Sequence, residues 1–174
     1  MNTPNKLTVL RMVLVPIFMV VYMTQAIPFH MVFAAAIFII ASITDWLDGY
    51  LARKHQIVTN FGKFMDPLAD KLLVTGALLC LMERDVVSFW VVMIIIAREF
   101  IVSGLRLVAV TKGIVIAAGK LGKLKTVTQL IAVIAAILSL PPLLVDTLIY
   151  ICAFLTVLSG VDYLWQNRKV FLEE

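Results

Sequence analysis

Six apolar runs, each about as long as a lipid bilayer is thick, take up most of this chain and constrain it to a bundle of membrane helices. They lie near residues 7–25, 30–52, 66–83, 86–108, 122–141 and 143–165, and a span needs about 20 predominantly apolar residues. Inside hydrocarbon every backbone N–H and C=O must bond within the protein, which makes segments of this length helices. Of the 174 residues 62% are apolar, against roughly half in a soluble domain. No Pro/Ser/Gly-rich linker or low-complexity run separates the apolar segments. The expectation is an all-α integral membrane protein with six transmembrane helices, forming a single membrane domain over residues 1–174.

Charge gives the bundle a direction. The connections near Gln25–Pro28, Glu83–Asp85 and Pro141–Asp146 hold Arg84 as their only base. Lys6, Arg11, Arg53, Lys54, Lys63, Arg106, Lys112, Lys120, Lys123, Lys125, Arg168 and Lys169 gather at the other ends of the spans, and the positive-inside rule makes that side cytoplasmic, with both termini inside. Lys6 and Arg11 precede the first apolar run as in a signal peptide. No small-x-small cleavage site follows at Met23-Thr24-Gln25, so the run reads as a retained first span. Trp46, Trp90 and Trp165 fall near span ends and read as interface anchors. Cys80 and Cys152 sit within apolar segments without metal-ligand spacing and read as packing residues. His30 on the outer side and His55 in a basic stretch have no ligand spacing either.

Against this background residues 45–70 read DWLDGYLARKHQIVTNFGKFMDPLAD, with carboxylates at Asp45, Asp48, Asp66 and Asp70. An ionisable side chain in a hydrocarbon-spanning segment costs about 3 kcal/mol or more, so such residues mark function. Asp45 and Asp48 are three apart near the end of the second span, Asp66 and Asp70 four apart at the start of the third, and each pair shares one helical face. The loop taken as 53–65 is short enough to make the two helices antiparallel neighbours, so the faces converge. Pro67 reads as a first-turn residue of the third helix, which puts Asp66 near the positive end of that helix's dipole.

Carboxylates this close repel one another and need cations. Oxygen donors without His or Cys suit hard ions, Mg²⁺ or Mn²⁺, and aspartates paired on two elements suit two divalent cations. Pairing with Arg53, Lys63 or Lys71 accounts for any one of these acids but not for all four at this spacing. Gly49 and Gly62 leave two readings open, close approach of a ligand or helix–helix packing.

Written as a pattern the segment is D-x2-D-G-x2-A-R-x8-G-x3-D-x3-D, and it resembles the signature of the CDP-alcohol phosphatidyltransferase family without a departure. The resemblance implies a six-helix membrane fold and a reaction, transfer of the phosphatidyl group of a CDP-activated lipid to an alcohol with release of CMP. It implies that Asp45, Asp48 and Asp66 are metal ligands, that Asp70 is the catalytic base and also near a metal, and that Gly49, Ala52, Arg53 and Gly62 belong to the nucleotide and donor site. It also favours a homodimer. Phosphoryl transfer asks mainly for positioning and charge neutralisation, and a carboxylate within reach of an alcohol can take its proton during attack.

The acceptor must be read elsewhere. Residues 97–106, AREFIVSGLR, lie in the fourth span, and 119–126, GKLGKLKT, lead into the fifth. Arg98 lies too deep for the surface charge bias and reads as facing a cavity. With Arg106, Lys123 and Lys125 it makes a basic pocket suited to an acceptor that carries its own phosphate. Lys120, Lys123 and Lys125 equally suit a second role, fixing topology and attracting anionic headgroups. Glu99 reads as a partner for a neighbouring base and Asp162 as a buried partner for a base.

Together with PNKLTVLR at 4–11, these segments resemble the bacterial branch of the family whose donor is CDP-diacylglycerol and whose acceptor is sn-glycerol 3-phosphate. That resemblance makes Asn5 and Thr8 candidates for the nucleotide side, whereas Arg11 has two readings, snorkelling to the interface or contact with a ligand.

Two other acceptors within the family are the alternatives, inositol phosphate, which also needs a basic pocket, and phosphatidylglycerol. A different class, a divalent-cation transporter, calls for polar groups at the midplane and beyond; here they gather at the cytoplasmic side, where membrane lipids and soluble substrates are both within reach. Nothing in the chain suggests a nucleic-acid partner.

Overall fold

The computed structural model describes residues 3–55, 60–114, 116–117 and 119–168, with side chains described for all of these except 3–6, 45–55, 60–64, 66, 67 and 70. Among the described residues the chain is six α-helices and no strand: α1 Thr3–Met23, α2 His30–His55, α3 Asn60–Glu83, α4 Phe89–Thr111, α5 Lys120–Ile137 and α6 Pro142–Gln166. Each expected span has its helix. Among the described residues α6 alone is long and apolar enough to cross a membrane by length and composition; Leu7–Met23 and His30–Thr44 are shorter apolar stretches. Three charged residues each interrupt α4 and α5.

The helix ends have local causes. At α4, Gly113 takes a left-handed φ of 73°, and the N–H groups of Gly113 and Ile114 turn back to the carbonyls of Val110 and Ala109 at 3.0 and 2.9 Å, a Schellman closure. Asp85 after α3 and Ser139 after α5 adopt φ of 57° and 51° and close their helices in the same way. This is why α5 stops at Ile137, short of the expected 141. Pro142 then starts α6, where its missing N–H costs nothing.

The chain divides into two compact units, Met1–Val86 with Ala136–Ser139, and Val87–Ala135 with Leu140–Glu174. In the first, α1 packs against both α2 and α3, which also touch each other. Val15, Phe18 and Tyr22 recur at helical spacing on α1 and are buried with Ala34, Phe38 and Ala41 of α2 and Leu73, Ala77 and Leu81 of α3. The Phe18 ring lies 6.0 Å from Tyr22 and 5.7 Å from Phe38.

Arg84, the lone base of its connection, closes one end of this unit. Its Nη2 donates to the Tyr22 carbonyl at 2.7 Å and its guanidinium lies 4.6 Å from the Tyr22 ring centroid, so the positive charge sits at the carbonyl end of α1.

Gly76 sets how closely α1 and α3 approach: a Cβ there would stand 3.2 Å from Val15 Cγ1 and 3.3 Å from Met19 Sδ. Gly76→Val should therefore overpack this contact and cost about 1–3 kcal/mol. A lowered thermal midpoint in detergent is the expected readout, and an unchanged midpoint would contradict the packing described.

In the second unit α4 packs on α6. The buried residues of α6 are Val145, Ile149, Cys152, Thr156, Ser159 and Tyr163, alternating steps of four and three, so one stripe faces inward. That stripe turns from apolar to polar toward its C-terminal end. On α4 the buried residues are Val91, Val92, Ile95, Val102 and Ala109, and the same stripe passes through Arg98, Glu99 and Arg106. Outward faces in both units are apolar, with Val20, Phe33, Leu107, Leu143 and Phe154 all more than half exposed.

Candidate functional site

The four acids of the motif all lie within helices. α2 continues to His55 and α3 begins at Asn60, so Arg53, Gly62 and Lys63, taken above as a loop, are helical; Ala, Arg and Lys are good helix formers and carry α2 past the polar boundary. Two expectations change as a result. Pro67 is not in a first turn but well inside α3, and Asp66, about two turns in, is beyond the reach of the helix dipole, which falls off within one turn.

Asp45 and Asp48 still share one face of α2 and Asp66 and Asp70 one face of α3, in the unit where these helices touch. The side chains of Asn5, Asp45, Asp48, Gly49, Ala52, Arg53, Gly62, Asp66 and Asp70 lie outside the described residues. Among the described residues no group of His, Cys, Asp or Glu is placed to hold a metal ion.

Thr8 and Arg11 are described and fully buried on α1. Arg11 does not snorkel outward, as expected of a lone base near an interface. Its spacing from Val15 and Phe18 puts it on the inward stripe of the helix that packs against α2 and α3.

The basic residues of the second unit separate into two groups. Arg98 and Arg106 both line a cavity of about 350 Å³. Gly119 and Gly122, where α5 begins, form part of its wall, and Ser159, Asp162 and Tyr163 of α6 form another part. The Arg106 guanidinium carbon lies 5.6 Å from the Tyr163 ring centroid, a contact that fixes the head group of an otherwise exposed side chain. The Arg98 side chain is 13% exposed; its stem passes Gly160, where a Cβ would come within 3.2 Å of Arg98 Cγ, and its Nη2 reaches toward Gly122.

Glu99 holds the deeper arginine. Arg98 Nη1 donates to Glu99 Oε1 at 3.2 Å, and Lys125 Nζ donates to the same oxygen. Lys125 is 1% exposed, so its charge is spent on Glu99. Lys123 is exposed and does not line the cavity. Of the residues read as an acceptor pocket, the structure thus brings Arg98 and Arg106 to one cavity and directs Lys125 to a supporting ion pair.

Asp162 was expected to partner a base. It instead lines the cavity and accepts a hydrogen bond from Gln166 Nε2 at 2.7 Å. Ser159 and Tyr163 were not singled out as site residues; the signal that could have found them is the polar turn of the α6 stripe.

What fold and clusters define together is a class, an all-α protein that keeps carboxylates and guanidiniums within helices whose outward faces are apolar. Within that class the chain belongs to the CDP-alcohol phosphatidyltransferase family, whose family model matches residues 1–158. It is 48% identical over 183 residues to the CDP-diacylglycerol–glycerol-3-phosphate 3-phosphatidyltransferase of Bacillus subtilis, with 95% of each chain covered. The proteins of the same name from Salmonella typhimurium and Rickettsia bellii are 39% identical, with 99% of this chain and 98% of the relative covered, and 36% identical, with 98% and 97% covered.

Proposed function

We propose that this protein transfers the phosphatidyl group of CDP-diacylglycerol to the primary hydroxyl of sn-glycerol 3-phosphate, forming phosphatidylglycerophosphate and releasing CMP. The observation that carries the acceptor is the meeting of Arg98 and Arg106 at one cavity, in a chain whose relatives are named for this reaction. Two guanidiniums offer forked donors to a phosphate monoester. The cavity wall at Gly119 and Gly122 has no side chain to intrude on it.

The donor end is assigned to the signature. Asp45, Asp48, Asp66 and Asp70 supply only carboxylate oxygens, on faces of two touching helices, and this donor set fits Mg²⁺ or Mn²⁺. Two such cations, when bound, would offset the charge of the donor's pyrophosphate and of departing CMP. Asp70 accepts the proton of the primary hydroxyl as its oxygen attacks the lipid-side phosphorus. The bond from that phosphorus to the CMP oxygen breaks, and CMP leaves with the electron pair. Gly49, Ala52, Arg53 and Gly62, with Asn5 and Thr8, hold the cytidine and diphosphate.

The same reading makes the chain one multi-pass domain of the cytoplasmic membrane, with six spans, a homodimeric assembly, and both termini and the site toward the cytoplasm. The distribution of bases supports the orientation. Trp90 and Trp165, 71% and 70% exposed near opposite ends of their spans, suit the two interfaces.

The test is CMP release by purified protein given CDP-diacylglycerol and Mg²⁺ or Mn²⁺ with each acceptor in turn. sn-Glycerol 3-phosphate should support release, and inositol phosphate and phosphatidylglycerol should not. Release with inositol phosphate alone would overturn the acceptor. Cation flux into proteoliposomes without CMP release would overturn the enzyme class.

Arg106→Ala should raise the KM for sn-glycerol 3-phosphate by about tenfold to a hundredfold, the worth of a charged hydrogen bond, with the donor KM within about twofold. Arg106 is the better probe because truncating Arg98 also disturbs Glu99 and Lys125. Equal rises in both KM values would argue against a phosphate contact.

A further inference from the structure

The cavity that holds the two arginines also holds one carboxylate, and that carboxylate does not pair with them. Asp162 accepts from Gln166 through Oδ1. No ion pair joins it to Arg98 or Arg106 among the described residues, although all three line the same space. Its Oδ2 lies on the Gly119 side of the cavity, 3.9 Å from where a Cβ of that glycine would stand, and accepts no hydrogen bond among the described residues. The cavity therefore presents two groups that only donate and one that only accepts.

An occupant that satisfies both must combine an anion with a hydroxyl donor. A phosphate monoester of a simple alcohol satisfies the arginines and leaves Asp162 facing nothing. A polyol phosphate satisfies both.

We propose that Asp162 accepts a hydrogen bond from the secondary hydroxyl of the acceptor and so selects a glycerol-type polyol phosphate over phosphates that lack that hydroxyl. This rests on the acceptor reading above, in which the phosphate lies on Arg98 and Arg106 and the primary hydroxyl is the nucleophile, leaving the secondary hydroxyl without a role. Gln166 fixes the carboxylate by engaging its other oxygen. A site built to bond a substrate hydroxyl discriminates strongly against the analogue without it, because the site's own polar group is then left unmatched.

The test compares kcat/KM for sn-glycerol 3-phosphate and for 3-hydroxypropyl phosphate, which keeps the primary hydroxyl and the phosphate and lacks only the secondary hydroxyl. The natural sequence should prefer sn-glycerol 3-phosphate by at least about tenfold. Asp162→Ala should bring the two acceptors to within about threefold of each other, and Asp162→Asn, which keeps a carbonyl oxygen, should retain part of the preference. A carboxylate that merely balanced the arginine charges would change both acceptors alike and leave their ratio unmoved, so a wild-type ratio in Asp162→Ala overturns the proposal. So does equal use of the two acceptors by the unaltered protein, a comparison that needs no variant to fold. Absence of CMP release with either acceptor, where another acceptor supports it, would instead remove the acceptor reading beneath the proposal.

Discussion

Asp70→Asn should slow CMP release by about a thousandfold or more while leaving CDP-diacylglycerol binding largely intact. An alcohol is a poor nucleophile at neutral pH, and a positioned general base is worth about 10²–10⁴ in rate. Asn keeps the size and one oxygen of Asp70 but cannot take a proton. Asp70 lies one turn after Asp66 on α3, close enough that it can also contribute to holding a cation. Some loss of metal affinity is therefore expected beside the loss of chemistry, and single-turnover rates at saturating Mg²⁺ isolate the chemical part. Wild-type single-turnover rates in this variant would sink the base assignment.

Asp48→Asn should also abolish turnover at ordinary metal concentrations, by about 10²–10³, the scale on which preorganised charge at the transition state is lost. The difference lies in its metal dependence. Asp48 shares its α2 face with Asp45 and is assigned to ligation alone, so replacing its negative charge weakens cation binding, and excess Mg²⁺ should restore part of the rate. For Asp70→Asn the same addition should restore little. An Asp48→Asn enzyme with an unchanged metal optimum would show that this carboxylate is not a ligand, whatever its rate.

The apolar runs were legible because burial in hydrocarbon leaves one kind of secondary structure, and each expected span has a helix within a few residues of it except at the start of α3. There Pro67 reads as a first-turn residue, yet α3 begins at Asn60 and carries it inside, because a single breaker lowers helix propensity without ending a helix that gains from packing. α4 runs to Thr111, past the expected 108, and closes at Gly113. Asp85 and Ser139 did not announce the ends of α3 and α5, since the left-handed turn they adopt is unusual for residues other than glycine.

The acids were conspicuous by their cost and spacing. The cavity was half legible: Arg98 stood out by its depth, but which bases would meet depended on contacts between α4 and α5. Lys125 goes to Glu99 and Asp162 lines the cavity without an ion pair to a base among the described residues, and helical periodicity within one segment carries no information about either. Gly160 and Gly122 shape the path of Arg98 from helices distant in sequence, and no local pattern marks them.

Transfer of the lipid phosphorus to the acceptor's own oxygen is tested most directly by labelling that oxygen. With sn-glycerol 3-phosphate carrying ¹⁸O at its primary hydroxyl, CDP-diacylglycerol and Mg²⁺, mass spectrometry should find one ¹⁸O in the phosphatidylglycerophosphate formed and none in CMP. Unlabelled lipid product, or ¹⁸O in CMP, would contradict attack by the acceptor hydroxyl on the lipid-side phosphorus.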